Sequence, residues 1–121
     1  MLRFKTKEIQ EEFKRIHPKL QSMLLMEAGW LDTYHHEDLW VTCLFRDGSG
    51  VHPLGRGADT RADRPTEKMW DELIDFILKH ATYGKTGHNI IFDERTKRSG
   101  GWTAPHFHWQ VRANTELIDN A

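Results

Sequence analysis

His52 and Asp59 sit seven positions apart in the stretch HPLGRGAD, with Gly55 and Gly57 between them. Two glycines let the backbone turn back on itself, so an imidazole and a carboxylate can be aimed at one point. Near the other end of the chain, PHFHWQVR carries His106 and His108 two residues apart in an apolar, aromatic segment. On a strand, side chains two apart leave the same face. The two stretches together supply an imidazole, a carboxylate, a third ligand and a spare imidazole. Three protein ligands and one open position is the arrangement of a catalytic zinc site, whereas a structural zinc site is closed by four ligands, usually with several cysteines. The chain has one cysteine, Cys43.

The elements that must position these residues follow from periodicity. Ile9, Phe13 and Ile16 lie at helical spacing within Lys5–Ile16. Pro18 suits a first helical turn, Leu20, Met23, Leu24 and Ala28 form one stripe, and Gly29 is a fitting stop, which predicts a core helix over Pro18–Ala28. Met23 and Met26 read as gap-fillers of that core. Asp32–Asp38 reads as a polar turn in which His35 and His36 are solvated. LWVTCLFR predicts a strand over Leu39–Arg46, with Cys43 a buried, inert thiol. The turn Asp47–Gly50 follows, so Arg46 is delivered close to the His52 motif. After a polar loop over Arg61–Pro65, Thr66 can cap a helix reaching Ala81, with Met69, Trp70, Leu73, Ile74 and Ile77 on one face. GKTGH, from Gly84 to His88, lacks the full phosphate-loop pattern and follows a helix, so it is no nucleotide site. Strands are expected over His88–Glu94 and Phe107–Arg112, paired antiparallel across a basic loop, with a plain tail after them.

A chain of 121 residues, 38% hydrophobic, fits one domain with one core. Seventeen basic against eighteen acidic residues leave a net charge of -1, which gives no global attraction for nucleic acid. No apolar run approaches the roughly 20 residues of a membrane span, so no membrane insertion is expected. MLRFKTKEIQEEF lacks the apolar core of a secretory signal, and synthesis in the cytoplasm is expected. Eight His and five Trp in so short a chain suit a polar site walled by aromatics.

HxxGxxxD followed far downstream by HxH resembles the zinc peptidases of bacterial cell walls, a superfamily of D-Ala-D-Ala carboxypeptidases, phage-lysin L-alanyl-D-glutamate endopeptidases, murein endopeptidases and the hedgehog signalling domain. The resemblance runs from Pro18 to Arg112. HPLGRGAD is similar to the family's SxHxxGxAxD, with His52 and Asp59 at the ligand positions, Gly55 at the glycine, Val51 in place of the serine and Gly57 in place of the alanine. Arg46 resembles the arginine that binds a substrate carboxylate or carbonyl. FHWQVR is similar to the HVDVR and HFHVR strands, which makes His108 the third ligand and His106 the catalytic imidazole. PHFHW also resembles PHFQW of phage lysins, which makes His106 the ligand and puts Thr103 where a carboxylate base belongs. The first assignment explains both imidazoles and is preferred. The resemblance implies a single α+β domain with a small, mainly antiparallel sheet packed with helices. It also implies a Zn2+ cofactor, a peptidoglycan stem-peptide substrate and a place of action at the wall, after phage-mediated release or within a virion. Thr103 leaves open a non-catalytic, zinc-stabilised binding or virion structural domain.

Overall fold

The computed structural model describes residues 1–45, 52–64, 66–82, 91–93, 107–111 and 116–117, which form a small α+β domain. A short strand β1 (Leu2–Phe4) leads into α1 (Lys7–Phe13), where the Thr6 hydroxyl accepts the Ile9 amide at 3.2 Å. The helix expected over Lys5–Ile16 is thus shorter, and the chain before it pairs with a strand.

The second helix, α2, runs Pro18–His35 and does not stop at Gly29. A mid-helix glycine costs about 1 kcal/mol relative to alanine. The buried stripe of Leu20, Met23, Leu24 and Ala28 gains a further turn from Leu31, which offsets that cost. The true end is His36, in the left-handed region at φ 53°, and its amide turns back to the Asp32 and Leu31 carbonyls. The expected polar turn is therefore helical through His35. His36 is exposed as expected, whereas half-buried His35 bonds Glu72 Oε2 at 3.2 Å.

Five strands form one mixed sheet in the order β1, β2 (Leu39–Cys43), β3 (Gly57–Arg61), β6 (Phe107–Gln110), β5 (Ile91–Asp93). Among the described strands of this sheet, only the β1–β2 pair is parallel. The expected antiparallel pairing of the last two strands holds, with Phe92 opposite His108. The sequence predicts no strand at β3, because GADTR mixes a glycine, an aspartate and an arginine and shows no apolar run, and the polar loop expected from Arg61 begins at its last residue. β2 ends at Cys43 and not Arg46, since the Leu44 carbonyl is spent on a side chain, described below. β6 ends at Gln110, and Arg112 lies outside the described residues. Ala81–Thr82 (β4) pairs with Glu116–Leu117 (β7), so part of the expected tail is a strand.

α3 spans Glu67–His80 with Thr66 as its cap, and Met69, Trp70, Leu73 and Ile77 are buried as the stripe requires. Trp70 packs on Phe107 with ring centroids 4.1 Å apart. Phe107 and Trp109 therefore face the helices, along with their cross-strand partners Thr60 and Ala58, and the Trp109 indole donates to Thr60 Oγ1 at 2.7 Å. By alternation His108 and Asp59 leave the opposite face. No helix among the described residues is long and apolar enough to cross a membrane.

Glu27 lies on the buried stripe of α2 at 0% exposure, and among the described residues neither carboxylate oxygen has a hydrogen-bond partner. Burial alone pushes its carboxyl well above the ordinary range. Glu27→Met, similar in volume and apolar, should therefore stabilise the fold by about 1–3 kcal/mol, the usual desolvation penalty of an unsatisfied buried group. Urea unfolding checks this. The gain should grow as pH rises above the unfolded carboxyl value, because ionising Glu27 opposes folding.

Candidate metal centre

His52 opens a single 3-10 turn, His52–Leu54, and the turn closes at Gly55, whose φ is +68°. A Cβ at Gly55 would also stand 3.1 Å from the Phe45 ring, a tight contact that adds to the backbone's own need for glycine. The Gly55 carbonyl accepts the His17 amide at 2.8 Å and fastens the turn to the start of α2. The chain then enters β3 and delivers Asp59 two residues into that strand. The glycine-enabled fold-back expected between His52 and Asp59 is thus a turn followed by a strand.

Across the sheet, Asp59 stands directly opposite His108 on β6 and opposite Cys43 on β2. The β2–β3 register shifts between Val41 and Cys43: Val41 faces Thr60 and Cys43 faces Asp59. A regular strand would put Val41 and Cys43 on one face, and the irregularity turns Cys43 to the face of Asp59 and His108. At its centre the Thr42 hydroxyl donates to the Asp59 carbonyl at 3.2 Å. Cys43, Asp59 and His108 therefore form one row on three adjacent strands, with His52 brought in by its own turn.

Three polar atoms meet. His52 Nε2 is 3.2 Å from His108 Nδ1, His108 Nδ1 is 3.0 Å from Asp59 Oδ1, and His52 Nε2 is 3.4 Å from Asp59 Oδ1. His52 and Asp59 are almost wholly buried, at 2% and 4% exposure. The outer nitrogens decide what faces inward. His52 Nδ1 contacts the Leu44 carbonyl at 2.5 Å, and a carbonyl only accepts, so Nδ1 carries the hydrogen and Nε2 of a neutral ring bears a lone pair. His108 Nε2 lies 2.9 Å from Gln110 Oε1, which likewise takes a hydrogen from Nε2 and leaves a lone pair on Nδ1. Two lone pairs and a carboxylate oxygen are thus aimed at one another, and a cation has to sit among them. Metal-binding histidines are held in this way, by a carbonyl on the far nitrogen.

In the metal-free protein the cation is a proton. Burial disfavours charge on His52, but its bonds to Asp59, Cys43 and the Leu44 carbonyl outweigh that and lift it to about 9. Burial likewise raises Asp59, but His108 and His52 outweigh it and hold the carboxyl well below its ordinary range.

His52, Asp59 and His108, all expected as ligands, are brought together. Arg46, Thr103 and His106 lie outside the described residues. Cys43, expected to be buried and inert, is half-buried, and its Sγ, one ligand atom of His52 and one of Asp59 all lie within 4.8 Å of one another, a group that could hold a metal ion. LWVTCLFR gave no sign of this, because alternation through an unbroken strand turns Cys43 towards the core. The second residue missed is Gln110, whose pairing with His108 is set only by their i, i+2 relation on β6.

Metal binding has to displace the His52 proton, so affinity should fall at least about tenfold for each unit that pH drops below about 9. The sign for stability is opposite in the metal-free protein. There the His52 contribution is whole below 6.5 and is lost as pH rises through about 9. Chelator competition across that window, with thermal melts of the metal-free protein, checks both, and affinity that does not vary with pH would remove His52 from the centre. Comparison with protein-family models, with curated proteins and with solved structures finds no match.

Proposed function

We propose that the protein is a zinc-dependent peptidase acting on the stem peptides of peptidoglycan. The observation that carries the metal assignment is the spacing of the three inward atoms. A tetrahedral zinc with bonds of about 2.0–2.1 Å to nitrogen and oxygen needs its ligands about 3.3–3.4 Å apart. Here the three separations are 3.2, 3.0 and 3.4 Å, before any ion draws them into place. Donor chemistry agrees: two imidazoles and one carboxylate form a usual catalytic zinc set. The substrate class rests on the resemblance of HPLGRGAD and PHFHWQVR to the cell-wall zinc peptidases, and a small α+β domain is what that resemblance implies.

His52, Asp59 and His108 would hold a zinc ion, and the chemistry it would supply when bound is a water nucleophile at neutral pH and a Lewis acid for a peptide carbonyl. The Leu44 carbonyl and Gln110 fix the ring orientations and make both imidazoles better donors of their lone pairs. His106, two residues before His108 on the chain, takes up a proton and returns it to the leaving amine. Arg46 pairs with a substrate carboxylate in a two-pronged geometry that lysine does not reproduce. The site of action is the wall, reached by phage-mediated release or from a virion. A second reading, a zinc-stabilised binding domain without catalysis, is favoured by one observation, the thiol of Cys43 beside the centre.

The test is release of peptides from purified peptidoglycan by the zinc-loaded protein. His106→Ala should keep its zinc and lose about 10²–10⁴-fold in rate, the usual contribution of a positioned acid/base. His108→Ala should lose zinc and activity together. Wild-type protein that holds zinc in full and releases nothing would decide for the binding domain.

A further inference from the structure

We propose that Cys43 is a fourth ligand of the metal held by His52, Asp59 and His108, so that the resting centre is closed by a thiolate; this rests on the metal-binding reading above. Three observations lead there. The register shift in β2 turns Cys43 out of the alternation that would face it to the core and puts it opposite Asp59. Its Sγ already belongs to one cluster with a ligand atom of His52 and one of Asp59, all within 4.8 Å of one another. His52 and Asp59 beside it are almost wholly buried, so the thiol shares a ligand set that is screened from solvent.

Charge points the same way. A divalent ion bound by two neutral imidazoles and one carboxylate keeps a net positive charge in a buried space, which is costly. Cys43 removes it: the S–H bond breaks, its proton leaves to solvent, the sulfur binds the metal, and the two negative ligands balance the ion. A zinc–sulfur bond of about 2.3 Å is longer than one to nitrogen, which suits a ligand arriving from the neighbouring strand. Hydrolysis at such a centre requires Cys43 to yield its place or the ion to accept a fifth ligand.

Cobalt(II) titration of the full chain tests this without reference to activity. Cys43 is the only cysteine, so a thiolate-to-cobalt charge-transfer band in the near ultraviolet can come from nowhere else. Wild-type protein should bind one equivalent and show the band. Cys43→Ser should bind one equivalent without the band, with affinity lowered about tenfold or more, since even an outer-shell partner is worth that much. Cys43→Ala provides the same comparison should a serine disturb the sheet. Cobalt bound by the wild type with no such band, or unchanged affinity in both variants, would overturn the fourth ligand and leave the three-ligand centre standing. A wild type that binds no cobalt would overturn both.

Discussion

Lone pairs aimed at one point in a buried space repel one another unless something positive lies between them. His52 Nε2, His108 Nδ1 and Asp59 Oδ1 are so aimed because each ring has spent its hydrogen on an outer acceptor, the Leu44 carbonyl for one and Gln110 for the other. The centre therefore has two stable fillings, a proton or a metal ion, and the buried Asp59 carboxylate calls for one of them. The raised pKa of His52 is the signature of the first filling. Metal binding, proton release and fold stability are then one coupled equilibrium.

The rest of the structure serves that convergence. The helices α2 and α3 bury one face of the sheet through Trp70, Phe107 and Trp109, which fixes β6 and so the direction of His108. β3 sits between β2 and β6 and gives Asp59 a partner on each side. Only His52 comes from outside the sheet, and it is held by a turn that closes at Gly55, pinned to His17 at the start of α2. Loss of packing on the helical face should thus be felt at the metal face, because the same two strands carry both.

Periodicity made α3 legible, since its cap and apolar stripe agree over the whole helix. It also marks the start of α2, but Gly29 does not stop that helix, because Leu31 extends the buried stripe past it. His52, Asp59 and His108 could be chosen because spacing and residue type are properties of the sequence. What could not be read is what depends on register: the strand status of GADTR, the row formed by Cys43, Asp59 and His108, and the irregularity that turns Cys43 towards them. Glu27 shows the same limit, for it occupies a stripe position between Leu24 and Leu31, and only packing reveals that it is buried.

The central claim is that Asp59 and the two imidazoles hold a metal, and metal content measures it most directly. Wild-type protein equilibrated with zinc, dialysed against metal-free buffer and analysed for elements should retain one zinc per chain. Asp59→Asn, which keeps the shape and removes the charge, should retain little or none. A wild type that comes through dialysis without zinc, or an Asp59→Asn protein that keeps its full equivalent, would contradict the account.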